Sequence, residues 1–355
     1  MFSTARTLIA CLLAAFAQAT TSELARYEFE QPRMGTIARI VLYASSREVA
    51  ERAARAAFER VARLDAIMSD YDETSELNRL SRSPFRWVAV SEDLFRVLSV
   101  SQSLARQTDG AFDITVGRMV RLWRRARRTG EMPARSMIEE ARKATGYKLV
   151  RLDARTGSVK LLRDGMMLDL GGIAKGYAAD EALKAIRGEG VRSAMVAIGG
   201  DIAMSDPPPG KRGWTIAVSS VSTKDTKDGK DTISTKDTKD EKDTKREEEM
   251  ETLLLSDCGV STSGDLEQWV EIGGVRYSHI VDPRTGLGVT GRMSATVVAS
   301  SAMMSDALAT AACVLAPRRA LRVIESRGAE CLIVRQSEKG TERYESRRWK
   351  GLNRP

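Results

Sequence analysis

The chain of 355 residues has one histidine, four cysteines and only 5% aromatic residues. A single histidine, His279, excludes a His-rich metal centre, and no nucleophile elbow accompanies it, so a Ser-His-Asp triad is incomplete. Cys258, Cys313 and Cys331 show no Cys-x-x-Cys spacing, which argues against both a zinc site and a disulfide framework. Cys313 and Cys331 lie in apolar runs and are expected in the core. Neither a Gly-x-x-x-x-Gly-Lys-Ser/Thr phosphate loop nor a Gly-x-Gly-x-x-Gly fingerprint is present. Beyond the N-terminus, no apolar run is long enough to span a bilayer. Lys and Arg exceed Asp and Glu by 56 to 48, a net charge of +8. The basic residues are dispersed, aromatics are scarce and no nucleic-acid-binding signature occurs, so no nucleic-acid partner is expected. Such a surface suits an anionic ligand or an anionic membrane face instead.

The N-terminus carries an address. Arg6 gives a short positive region, Thr7 to Phe16 is apolar, and Ala17-Gln18-Ala19 fits a small-x-small cleavage site. Residues 1–19 are therefore read as a signal peptide rather than a buried helix, and the mature chain is expected to be exported. Leu8-Ile9-Ala10-Cys11 also looks like a lipoprotein box, but its upstream apolar stretch is short and apolar residues continue past Cys11. Lipidation is left open.

Hydrophobic periodicity predicts two strands within 27–44 around Met34-Gly35-Thr36, a helix over 47–68, and a helix over 91–107 capped by Ser91. Further strands are expected at 148–152, 158–162, 194–198, 214–218, 252–256, 293–299 and 331–336. Helices are expected at 135–144, 176–187, 303–315 and 317–327. Without a regular βαβ rhythm, this mixture reads as α+β. One domain over 20–349 with a short tail at 350–355 accounts for the pattern. Within it, 222–249 repeats Ser-Thr-Lys-Asp-Thr-Lys-Asp and holds no apolar residue but Ile233. It reads as a disordered charged insertion between two strands, since ordering it would gain no burial.

Several runs carry candidate chemistry. Asp169-Leu170-Gly171-Gly172-Ile173-Ala174-Lys175-Gly176-Tyr177 pairs close-approach glycines with a cation and a helix start, a combination suited to phosphate. His279-Ile280-Val281-Asp282-Pro283-Arg284-Thr285-Gly286 holds the histidine beside a turn signal. Asp306 and Thr310 share a helix face one turn apart and offer hard oxygens suited to Mg²⁺, although such a pair is commonly a solvated edge. Asp109-Gly110-Ala111-Phe112-Asp113 reads as a turn followed by a packing Phe112 and an accepting Asp113; a ligand role is equally open. Tyr71 stands in a polar loop where it could stack on a planar ligand or pack locally. Ile198-Gly199-Gly200-Asp201-Ile202 reads as a glycine turn in which Asp201 either faces a ligand or, the favoured reading, caps the turn.

Taken in order with Thr262-Ser263-Gly264, these runs resemble the ApbE family, the FAD:protein FMN transferases. The likeness spans roughly 27–336. It implies an ApbE-like α+β fold and Mg²⁺-dependent transfer of FMN from FAD to a Thr or Ser hydroxyl of an exported or membrane partner, releasing AMP. The alternatives are an FAD diphosphatase yielding FMN and AMP, and a flavin-binding protein without activity. The resemblance places Met34, Tyr71, Ala111, Phe112, Asp113, Asp169, Lys175 and Ile280 around FAD. It places the Ala174 carbonyl, Asp306 and Thr310 on Mg²⁺, and His279 beside the reacting diphosphate. It further implies a periplasmic location, attached in some members to the outer face of the inner membrane. The implied acceptor carries an Asp-x-x-Ser/Thr-Gly-Ala-Ser/Thr type motif, as in subunits of membrane redox complexes. This chain has no copy of that motif, so transfer would occur in trans. The 222–249 insertion departs from the family pattern.

Overall fold

The computed structural model describes residues 24–219, 250–265, 268–337 and 339–352. The expected signal peptide and the 222–249 insertion lie outside them. The chain opens on a hairpin, β1 (Ala25–Arg33) and β2 (Thr36–Ala44), in which Arg33 faces Thr36 across a two-residue turn. Both turn residues, Met34 at φ 50° and Gly35 at φ 72°, are left-handed, the geometry that matches strand twist in tight hairpins.

Helix α1 (Arg47–Met68) follows, its first turn closed by the Ser46 hydroxyl accepting from the Val49 N–H. Then come α2 (Glu76–Ser81), β3 (Val88–Ala89) and α3 (Glu92–Thr108), capped by Ser91 as expected. Next are α4 (Gly117–Thr129), α5 (Arg135–Lys143), β4 (Val150–Asp153), β5 (Ser158–Leu161) and α6 (Ala174–Gly188). Strands β6 (Ala194–Ile198), β7 (Asp201–Met204), β8 (Trp214–Ser219), β9 (Met250–Leu255) and β10 (Cys258–Gly264) lead to a small sheet of β11 (Trp269–Ile272), β12 (Val275–Val281) and β13 (Gly288–Thr290). The chain closes with β14 (Met293–Ala299), α7 (Ala302–Val314), α8 (Pro317–Ser326), β15 (Glu330–Ser337) and β16 (Gly340–Glu345).

The α+β reading holds. The frame is an eight-stranded sheet in the order β1-β2-β6-β7-β10-β14-β15-β16, with every neighbouring pair antiparallel. Side chains alternate between its two faces. Ile40, Leu42, Val196, Ile198, Val297 and Ile333 point to one core, which also holds α1, α6 and α7. Val41, Met195, Val298, Leu332 and Val334 point to a second, under the β8–β9 ribbon and the fully buried Trp349. Leu352 packs against that second core, so the packed chain runs past the tail boundary expected at 350.

Helix α4 was not expected. Six arginines in Gly117–Thr129 mask the apolar stripe Met119, Trp123 and Ala126, which packs with Ala141, Val270 and Val281 in a third cluster. Strands β7, β10 and β12 were also missed as strands, because Asp201, His279 and Ser-Thr-Ser at 261–263 break the apolar pattern. Among the described residues, no helix is long and apolar enough to cross a membrane.

Candidate active site

A cleft of about 830 Å³ opens where the β1–β2 and β6–β7 turns meet α4, α6, α7, β10 and β12. Met34, Tyr71, Ala111, Phe112, Asp113, Asp169, Ala174, Lys175, His279, Ile280, Asp306 and Thr310, the residues singled out from sequence, all line it. Lining alone does not assign their roles; their surroundings are informative.

Asp306 is the most constrained. It is 2% exposed and stands one turn into α7, whose first N–H groups are satisfied from outside the helix. Asp180 accepts from Ala302 N at 2.8 Å and Met303 N at 2.9 Å, and Ser301 accepts from Met304 N. Two glycines pinch this point. A Cβ on Gly176 would lie 2.1 Å from the Ala302 carbonyl oxygen, and one on Gly259 would lie 2.2 Å from the Ala302 nitrogen. Helix α6 therefore packs directly on α7, and the Gly176 N–H donates to Asp306 Oδ2 at 3.1 Å. Burial, with the nearby Asp201 charge, pushes the Asp306 carboxyl up to about 8. A cation at this position would offset both causes.

Thr310 is bonded only loosely, its hydroxyl lying 3.4 Å from Ser263 Oγ. Thr310 and Ala174 line the same cleft as Asp306, so a hydroxyl, a backbone carbonyl and a carboxylate are available there. No cluster of three or more His, Cys, Asp or Glu suited to a metal occurs among the described residues. This donor set therefore fits a hard cation that takes further oxygens from substrate and water, not a protein-caged one such as zinc.

Two sequence readings change here. The Gly171-Gly172 pair is explained by packing, because a Cβ on Gly172 would meet Thr310 Oγ1 at 2.8 Å and one on Gly171 would meet Asp169 Oδ1 at 3.0 Å. Lys175 is not a bare charge either: its Nζ is ion-paired with Asp201 Oδ2. Asp201, read as a turn cap, thus reaches the site from the first residue of β7. Likewise, the N-terminus of α6 spends the Gly176 N–H on Asp306 rather than presenting it to an anion.

His279 sits on β12 with its backbone N–H and its ring Nδ1 both on the Gln268 carbonyl, at 3.0 and 3.1 Å. A carbonyl only accepts, so Nδ1 carries the proton and Nε2 keeps its lone pair. Burial in the cleft lowers the ring to about 4, reinforced by the charges of Arg127 and Lys175. At neutral pH the imidazole is an available base. The following Asp282–Gly286 segment is a turn: Asp282 binds Arg284 through both carboxylate oxygens, and Gly286 N donates to Asp282 O. Arg284 in turn donates to Val314 O at the end of α7.

The opposite wall is polar. Arg124 on α4 pairs with Asp70 and Asp169 and lies 4.2 Å from the ring centroid of Tyr71, which is 76% exposed. Burial and the Asp70 charge raise the Asp169 carboxyl. Asp113 accepts from Thr115 N, Thr115 Oγ1 and Tyr147 N at 2.9, 2.7 and 2.7 Å, so it holds the 111–116 loop in shape. Phe112 and Ile280 are buried in the main core. Arg124 and Arg127 were missed from sequence because α4 was missed; the spacing of Val116, Val120, Arg124 and Arg127 was the available signal.

The family model described as the ApbE family matches residues 34–333. The chain belongs to the ApbE family. A Salmonella typhimurium protein named FAD:protein FMN transferase is 28% identical, over 96% of this chain and 95% of its own length. One of the same name from Vibrio cholerae is 30% identical over 80% and 79%. Among solved structures, the Thermotoga maritima ApbE protein superposes with a TM-score of 0.76 at 33% identity, covering 93% of this chain and all of its own. The Vibrio cholerae flavin transferase ApbE gives 0.76 at 26% identity, over 93% and 99%.

Proposed function

We propose that this chain is an exported FAD:protein FMN transferase that moves FMN from FAD to a Ser or Thr hydroxyl of a partner protein and releases AMP. The observation that carries the reading is the cleft itself. Its volume of about 830 Å³ suits a dinucleotide. Asp306, Thr310, Ala174 and His279 all line it, and burial keeps the His279 ring neutral. Asp306, Thr310 and the Ala174 carbonyl would hold Mg²⁺, whose chemistry is to neutralise diphosphate charge.

The residues then divide the work. Met34, Tyr71, Phe112 and Ile280 offer apolar and aromatic surface to the flavin or adenine rings. His279 Nε2 takes the proton of the acceptor hydroxyl as its oxygen bonds the FMN phosphorus and the bond to the AMP oxygen breaks. Lys175, held by Asp201, keeps a positive charge beside the leaving phosphate. The Ala17-Gln18-Ala19 site supports export, which would bring the enzyme to a periplasmic acceptor, a subunit of a membrane redox complex.

Product analysis tests the reading. With FAD, Mg²⁺ and the unflavinylated form of an exported acceptor protein, the denatured acceptor band should become fluorescent and AMP should appear in equal amount. Free FMN with an unlabelled acceptor would instead make the chain a diphosphatase, and unchanged FAD would leave a flavin-binding protein.

A further inference from the structure

The cleft wall formed by α4 contains a cation that the mechanism above does not use. Val116, Val120, Arg124 and Arg127 line the cleft at spacings of about one helical turn, whereas Arg121, Arg125 and Arg128 are exposed. Arg124 is neutralised by Asp70 and Asp169. Arg127, one turn on, is half-buried and makes no hydrogen bond or ion pair among the described residues. Burial and the Arg124 charge both work against its guanidinium.

Arg127 also acts electrostatically on His279, as Lys175 does, which puts its charge near the reacting centre. A fold-stabilising role does not account for it. A basic side chain in the last turn of α4 complements the helix dipole, but exposed Arg128 does this without losing solvent. A partly desolvated, unpaired cation is a cost to the free protein that a bound anion would remove.

We propose that Arg127 is a phosphate-binding residue, donating to a non-bridging oxygen of the FAD diphosphate from the α4 wall. The diphosphate is the anionic group of the donor substrate, since its flavin and adenine rings are uncharged; an acceptor carboxylate is the competing partner, and it would show as a raised KM for the acceptor with FAD binding unchanged. Lys175, placed above beside the leaving phosphate, shares its charge with Asp201, and Arg124 is committed to Asp70 and Asp169, which leaves Arg127 as a second, unshared cation for the diphosphate. The proposal rests on the flavin-transferase reading and adds to it a charge-selective subsite.

Equilibrium binding of FAD, FMN and riboflavin to the mature chain, with and without Mg²⁺, tests this for wild type, Arg127→Gln and Arg127→Lys. Loss of a charged hydrogen bond should weaken FAD and FMN by about 10- to 100-fold in Arg127→Gln. Riboflavin affinity should stay within about twofold, Arg127→Lys should recover part of the loss, and the salt dependence of FAD binding should flatten. Melting temperature should not fall. Equal weakening of riboflavin would overturn the proposal, as would unchanged FAD binding with a raised KM for the acceptor. If wild type itself binds no FAD, the flavin-transferase reading fails first, and the two failures are distinct.

Discussion

One substitution made at two positions of the same helix should have opposite effects. In Gly176→Ala, the new Cβ would stand 2.1 Å from the Ala302 carbonyl oxygen, 2.5 Å from its carbon and 2.8 Å from Asp306 Cβ. Ordinary contact begins near 3.4 Å, so α6 and α7 must separate by roughly 1 Å. The obstructing atoms are mostly backbone, fixed by the Asp180 and Ser301 caps. Overpacking of this kind costs about 1–3 kcal/mol, each kcal/mol lowering the melting temperature by at most about 2 °C in a domain this large. The same shift moves Ala174 away from Asp306, and a displacement of about 1 Å at a catalytic centre lowers turnover about 100-fold.

Gly188 ends α6 with nothing within 4 Å of its would-be Cβ and no positive φ. Gly188→Ala should therefore stabilise by about 0.5–1 kcal/mol through the unfolded chain, at unchanged activity. Calorimetry of both variants beside wild type, with FAD turnover on the same samples, checks the pair. A Gly176→Ala protein that melts and turns over like wild type would refute the packing of α6 on α7 described here.

Asp306→Asn should keep the fold, since the amide oxygen still accepts from Gly176 N, and should lose about 100-fold or more in Mg²⁺-dependent turnover. Mg²⁺-supported activity near wild type would remove Asp306 from the metal site. It should also be relatively more stable with rising pH: the Asp306 carboxyl, raised to about 8 when folded, erodes metal-free stability between its unfolded value and pH 8. A pH series of melting temperatures in EDTA reads this out. His279, lowered to about 4, holds its neutral form in the folded chain, so its contribution to stability is lost as pH falls below about 6.5. Single-turnover transfer that depends on His279 should stay flat from pH 8 to about pH 5 and decline toward pH 4; a midpoint near 6.5 would contradict the burial assigned to it. Replacing 222–249 with a short Gly-Ser link should shift the melting temperature by less than about 5 °C, because the segment has almost no apolar surface to contribute.

What the sequence revealed depended on the kind of physical signal. Helix α1, with Ser46 before alternating alanines and valines, and α3, with Ser91 before Glu92 and Asp93, follow caps and periodicity that are local. Residues that line the cleft were recognisable because their short dense runs, taken in order, resemble the ApbE family; Met34 and Ile280 were placed at the site by that resemblance alone. The sheet order was not legible: placing β7 beside β10 and β10 beside β14 depends on packing of both faces, which no local pattern encodes. Gly172 and Gly176 show the same limit. Their sequence context suggested room for a ligand, while their reason is contact with Thr310, Ala302 and Asp306 from the far end of the chain. Helix α4 was hidden by its own arginines, and with it the cationic wall of Arg124 and Arg127.

The account depends most on where the flavin phosphate ends up. Mature chain, FAD, Mg²⁺ and an exported acceptor protein should give an acceptor whose intact mass rises by one FMN less one water. Peptide mapping should place that mass on a single Ser or Thr, and Asp306→Asn should leave the acceptor unmodified. An acceptor of unchanged mass, with FAD consumed to free FMN and AMP, would contradict the transfer and leave only hydrolysis.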